Sequence, residues 1–196
     1  MNRSGTDSDM GRNLPSILGK LCTINICGLS ERSHMMLNKY AFDNDLFLIS
    51  VQETGNNKEF KKLNNMKTYE DTNSQANKGC AIMVRNDVMF TQLCEISQMS
   101  KNIDSVWGMI CWNGKRYIIG NVYLKLDYLS GVKEIIGMLL RAHDLRKQHQ
   151  CSGVIAMGDF NARHFIWNDT VVNKYGKSLE ENLDWSVFSI QAPSSS

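Results

Sequence analysis

An apolar run, Val154-Ile155-Ala156-Met157, is followed at once by Gly158 and then by a carboxylate and an amide two positions apart, Asp159 and Asn161. In α/β chains, ligands gather beyond the carboxyl ends of the strands, and this pair stands at such an end. If the backbone stays extended there, the two-residue spacing turns both side chains to one side. A proton acceptor and an orienting amide then face one small volume. The same residues also suit an Asx turn that merely closes the strand. Three other runs end in comparable groups: Leu21–Ile26 carries Asn25, Leu46–Gln52 leads into Glu53, and Lys115–Val122 leads into Tyr123. One polar residue at a strand end means little. Five of them, all able to hydrogen-bond and two acidic, point to a shared rim.

The chemistry such a rim suits is phosphate chemistry. Hard cations such as Mg²⁺ take carboxylate and carbonyl oxygens, keep several waters and bind substrate phosphates. Asn25 and Glu53 supply oxygens of that kind. Asp159 suits orienting or deprotonating a water. Asn161 and Tyr123 suit donation to phosphoryl oxygens as charge builds on them, although a tyrosine at that place is equally an ordinary half-buried strand aromatic.

The elements that would carry these groups alternate between strand and helix, the pattern of an α/β fold. Residues 1–19 are polar and without periodicity, as in a flexible leader, and the domain runs from 20 to 196. A helix is expected over Ser30–Tyr40, capped by Ser30 or Ser33. Asn56–Asn77 is Lys- and Asn-rich and reads as a loop with a short helix. Gly79–Val84 reads as a strand, with Val88–Ile96 as its hairpin partner. Asn113-Gly114 between Ser105–Trp112 and Lys115–Val122 is a strong hairpin signal. Leu129–Gln148 has apolar residues at 132, 135, 136, 139, 140 and 145, an amphipathic helix. Gly176–Trp185 suggests a further helix, and Val187–Ile190 the start of a strand. Gly176-Lys177-Ser178 is not a phosphate loop, because Val171 stands where its first glycine belongs.

The 196 residues suffice for one domain with a substantial core, and the net charge of +2 does not by itself argue for nucleic acid. No apolar run reaches the length of a membrane span, and the N-terminus lacks a signal-peptide core. The six cysteines show no zinc spacing. They read as reduced thiols of a protein of the nucleus or cytoplasm, not a secreted one, with Cys22 and Cys27 on opposite faces of one strand.

Ile24-Asn25-Ile26, Val51-Gln52-Glu53-Thr54, Gly79-Cys80-Ala81-Ile82, Asn121-Val122-Tyr123 and Gly158-Asp159-Phe160-Asn161-Ala162 follow the order and spacing of the endonuclease/exonuclease/phosphatase family. Within it the chain resembles the apurinic-type endonuclease domain of non-LTR retrotransposons, through Ala162-Arg163-His164, Trp167, Gly176 and Leu179. The match spans about Lys20 to Ile190. The resemblance implies a DNase I-like four-layer α/β sandwich and Mg²⁺-dependent phosphodiester hydrolysis, with Mn²⁺ as the alternative metal. It implies Glu53 and Asn25 as metal ligands and Asp159, Asn161 and Tyr123 as catalytic residues. Arg163 and His164, beside them, suit contact with a nucleic-acid substrate, with ordinary loop composition, and for His164 a structural role, as the alternative. The implied partners are DNA and, in a full-length element, a reverse transcriptase domain, with no membrane.

Two features depart from the family pattern. Lys125 stands where a proline commonly follows the tyrosine. The Ser-Asp-His motif that closes family domains does not occur before Ser196, so the fold is expected to be incomplete at its C-terminus and DNA nicking impaired. The alternatives are a non-catalytic remnant or another phosphoesterase of the same superfamily.

Overall fold

The structure, a computed structural model, describes residues 19–28, 30–55, 63–71, 79–100, 103–126 and 128–191. The expected leader therefore lies outside the described residues, apart from Gly19. The elements in order are β1 (Lys20–Asn25), α1 (Glu31–Asp43), β2 (Leu46–Gln52), β3 (Met66–Glu70), β4 (Cys80–Arg85), β5 (Phe90–Gln92), α2 (Cys94–Ser97), β6 (Asp104–Trp112), β7 (Lys115–Tyr123), α3 (Gly131–Gln148), β8 (Gly153–Asp159) and α4 (Lys174–Asn182).

The strands form two four-stranded sheets, ordered β1-β2-β4-β3 and β5-β6-β7-β8. Each is mostly antiparallel with one parallel pair, β1 with β2 and β7 with β8. A parallel pair needs a long crossover, and here α1 and α3 supply it. Ser30 opens α1 with a capping box, its hydroxyl accepting from Ser33 N while the Ser33 hydroxyl accepts from Ser30 N.

The sheets pack face to face through Phe47, Leu48, Ile82 and Val84 of one and Val106, Ile110, Ile119 and Met157 of the other. Leu37 and Ala41 of α1 cover the outer face of the first sheet against Ile49, Val51 and Met83. Val132, Ile135 and Met138 of α3 and Tyr175 and Leu179 of α4 cover the second against Trp107, Ile118 and Val122. Helix, sheet, sheet and helix make the four-layer sandwich expected from the sequence.

Some elements differ from expectation. Met66–Glu70 is a strand on the edge of the first sheet, not loop, because Met66 and Leu63 bury their side chains while Lys67 and Glu70 face outward. Residues 56–62 and 72–78, the rest of the expected loop, lie outside the described residues. Phe90–Gln92 pairs with β6 in the second sheet rather than making a hairpin with β4, and short α2 follows it. On α3 the buried stripe takes in Met138 and Ala142 and leaves Leu140 exposed. Residues 185–187 form a turn and no strand follows among the described residues, although Phe188 and Ile190 still pack on the core. All six cysteines are free. Cys27 lies beyond the end of β1 at a φ of 47°, so it does not share a strand with Cys22.

Candidate active site

The two parallel pairs align the carboxyl ends of four strands. Register places Asn25 beside Gln52, the residue before Glu53, and Tyr123 beside Asp159. Packing of the sheets then brings the two pairs together. The Asn25 side-chain nitrogen donates to Glu53 Oε1 at 3.1 Å and to Asp159 Oδ2 at 2.8 Å. One amide thus spans both carboxylates, and their oxygens lie no further apart than the two bonds allow. Asn25 is itself oriented, because its Oδ1 accepts from Cys27 N at 3.1 Å. The Tyr123 hydroxyl donates to the same Glu53 Oε1 at 2.9 Å.

The backbone turns sharply around these groups. Cys27, Glu53 and Asn161 all have left-handed φ values, 47°, 55° and 47°. Such a conformation costs a non-glycine residue on the order of 1–2 kcal/mol, and residues held this way gather at functional sites. Gly28 N donates to Glu53 O at 2.7 Å, which ties the turn after β2 to the turn after β1. Gly158 has a φ of 137°, and a Cβ there would sit 1.9 Å from Val122 O. Only glycine lets β8 approach β7 this closely just before Asp159.

Asn161 does not continue the strand. Its backbone nitrogen donates to Asp159 Oδ1 at 2.9 Å, an Asx turn. The two side chains therefore do not align through an extended backbone, as the spacing suggested. The chain folds back instead, and Asn161 Nδ2 is anchored on Leu124 O at 2.6 Å, just past Tyr123. The turn closes the strand, and Asn161 N holds one oxygen of the Asp159 carboxylate.

Arg163 and His164 come next. The Arg163 guanidinium pairs with Asp169 through Nε and Nη2 at 2.9–3.2 Å, so a substrate would meet it already compensated. His164 Nδ1 accepts from Ile166 N at 3.3 Å, which leaves Nε2 for a ligand.

Three residues that the sequence reading did not single out hold the site. Gln52 and Asn121 join the two sheets beneath it, with Gln52 Nε2 donating to Asn121 Oδ1 at 2.7 Å. Asn173 caps α4 by accepting from Gly176 N, and it donates to Asn161 O at 2.7 Å. A polar residue inside an apolar run marked the first two, and an Asn just before a helix marked the third.

This two-sheet sandwich, with its polar rim at one end, belongs to a known class. The model of the endonuclease/exonuclease/phosphatase family matches residues 22–193, and the chain belongs to that family. Among solved structures, the endonuclease domain of TRAS1, a telomere-specific non-LTR retrotransposon, is similar with a TM-score of 0.59 and 17% identity, over 81% of this chain and 66% of that one. TDP2 from C. elegans is similar at 0.53 and 16%, over 79% and 51%. The human Nocturnin catalytic domain with bound sulfate is similar at 0.51 and 14%, over 78% and 62%. The chain thus spans about two thirds or less of each of these structures. At such identities the likeness concerns the fold. No curated protein matches the sequence. Among the described residues, no helix is long and apolar enough to cross a membrane.

Proposed function

We propose that the chain is a Mg²⁺-dependent phosphodiesterase, the DNA-nicking endonuclease domain of a non-LTR retrotransposon. The observation that carries this reading is the single Asn25 amide bonded to both Glu53 and Asp159. It gathers two carboxylates and an amide from strand ends in both sheets.

These residues fit a hard divalent cation. Mg²⁺ is bound through one or two carboxylates, waters and substrate phosphate, and no set of three or more His, Cys, Asp or Glu groups together among the described residues. Glu53 would hold the metal with Asn25 beside it, and Mn²⁺ would serve in its place. When bound, the cation supplies positive charge to a phosphoryl oxygen.

The protein's own groups do the rest. Asp159 orients an attacking water and accepts its proton; its carboxylate is aimed by Asn25 on one oxygen and Asn161 N on the other. Asn161, pinned through Leu124 O, presents the remainder of its amide to the phosphate. Tyr123 donates to Glu53, so its first task is to hold that carboxylate in place; support of the transition state would require that proton to be passed from Glu53 to the phosphate. Arg163 and His164 border the substrate path.

None of the four histidines lies on the strand ends that carry these groups. His34 lies on α1, His143 and His149 on α3 and its cap, and His164 is held by the turn it opens. We therefore expect the 196-residue chain to nick feebly by itself. DNA is the proposed substrate, a reverse transcriptase domain the proposed companion in a full-length element, and the nucleus or cytoplasm the proposed place of action.

Nicking of supercoiled plasmid tests the reading. The chain, extended with the C-terminal segment of the TRAS1 domain, should nick in Mg²⁺ and stop with EDTA, Glu53→Ala or Asp159→Ala. A folded extended chain that cuts no DNA in either metal would refute the assignment. Strong nicking by the unextended chain would refute the expected impairment.

A further inference from the structure

We propose that Phe165, with Ile166 beside it, is a nucleobase contact: a base near the scissile phosphate of the substrate strand stacks on the Phe165 ring. The proposal rests on the endonuclease reading above.

The stretch from Asn161 to Asp169 leaves few side chains free to meet a substrate. Arg163 is engaged by Asp169. Trp167, the obvious aromatic, is turned inward: its indole Nε1 donates to Ala162 O at 3.0 Å, and its ring packs on the core under α3 and α4. It also lies against the His164 ring at 5.1 Å between centroids. The large apolar side chains of the stretch that face outward are Phe165, 64% exposed, and Ile166, 57% exposed.

The turn that presents them is fixed. His164 caps it at Ile166 N. Trp167 N and Asp169 N both donate to His164 O, Asn168 N donates to Phe165 O, and Val171 N is held by Asp169 Oδ1. Its base is anchored on α4, where Asn173 bonds Arg163 N and Asn161 O. Gly176 admits the close contact, since a Cβ there would sit 2.0 Å from Arg163 O. A backbone already held in place loses little entropy on binding.

Position identifies the occupant. Phe165 lies four residues beyond Asn161, at most about 14 Å of chain. That is roughly four steps of a stacked strand at about 3.4 Å each. Phe165 therefore lies no further than about four nucleotide steps from a phosphate at Asn161. Stacking needs only a π face, so an aromatic ring accepts any base.

Binding of fluorescein-labelled DNA to the chain, in EDTA so that nothing is cut, tests this. Two strands of equal length are compared, one bearing bases and one fully abasic, with the same phosphates. Phe165→Ala should weaken binding of the base-bearing strand by roughly 5- to 100-fold and leave the abasic strand unaffected. Phe165→Trp should bind the base-bearing strand at least as tightly as the parent. Phe42→Ala, on α1 and 88% exposed in the parent, should match the parent on both strands. No loss in Phe165→Ala, or an equal loss on the abasic strand, overturns the proposal and leaves the endonuclease reading standing. A parent chain that binds neither strand counts against the endonuclease reading itself, and the proposal falls with it. Circular dichroism of each variant shows whether the fold is kept, and Phe165→Trp, which keeps an aromatic at the same exposed place, provides a second arm.

Discussion

Gln52 on β2 and Asn121 on β7 are joined side chain to side chain at 2.7 Å, across the interface between the two sheets. Both are essentially without solvent exposure, at 1% and 0%. Asn121 also donates to Val51 O and Ala81 O at 2.9 and 2.8 Å, and Gln52 also bonds Thr23 and Ser50. Gln52 precedes Glu53 and Asn121 lies two residues before Tyr123. The bridge therefore sets how far apart the two site-bearing strands stand.

Asn121→Leu keeps the branched shape and removes the three bonds that Asn121 makes, to Gln52, Val51 O and Ala81 O. Loss of one partner from a buried polar pair costs roughly 1–3 kcal/mol. Urea unfolding should show a loss of at least that size. A change too small to resolve would mean that the bridge contributes nothing to how the sheets are held.

Asn25→Ala should leave Glu53 and Asp159 facing each other with no amide between them. Loss of an oriented donor at such a site typically costs on the order of 10²–10³ in rate, read as nicking by the extended chain described above. Mg²⁺ should raise the melting temperature of the parent chain, as any ligand of the folded state does. In Glu53→Gln that rise should shrink or vanish. An equal rise in parent and variant would remove Glu53 from the metal site.

Gly158→Ala should be among the most damaging small substitutions in the chain. The methyl group would meet Val122 O at 1.9 Å, and the φ of 137° is one that only glycine adopts readily. Backbone at both strand ends would have to shift, so a loss of at least about 1 kcal/mol is expected from conformation alone. Thermal melting of Gly158→Ala beside Gly137→Ala, where the space is open apart from Met99 at 3.8 Å, isolates the effect. Equal melting points would contradict the close approach.

The Arg163–Asp169 pair makes the turn that carries Phe165 sensitive to acid. The hydrogen bond from Arg163 holds the Asp169 carboxyl below its ordinary value of 3.8. A carboxyl lowered in the folded state stabilises it fully above its unfolded value and loses that contribution as pH falls through the folded one. The turn should therefore loosen only below about pH 4, and Asp169→Asn should loosen it at neutral pH as well. Amide exchange at Ile166 and Asn168 reports this. Protection unchanged in Asp169→Asn would show that the pair does not hold the turn.

Much of the site was legible in the linear chain because its residues lie where apolar runs end. Asn25, Glu53, Tyr123, Asp159 and Asn161 each follow or close a run of strand formers, and a strand end must point somewhere. What was misread depended on partners far away. Met66–Glu70 looks like loop until the buried face of β4 is available to pair with it. Phe90–Gln92 could have paired with either neighbour, and the second sheet won because β6 offers the longer apolar surface.

The sequence by itself determined which side chains reach the rim and the order of the elements that carry them. It also specified the local devices: the Ser30 cap, the turn at Asn113-Gly114 and the glycine before Asp159. These are legible because they depend on residues a few positions apart. Only the tertiary structure decided that one Asn25 amide would touch both Glu53 and Asp159, the latter 134 positions away. It also decided that Arg163 and Trp167 would spend their polar groups within the protein while Phe165 stayed outside. Those outcomes depend on how two sheets pack face to face and on where α4 lands. Such packing is set by the summed fit of many buried side chains, and no short stretch of sequence contains it.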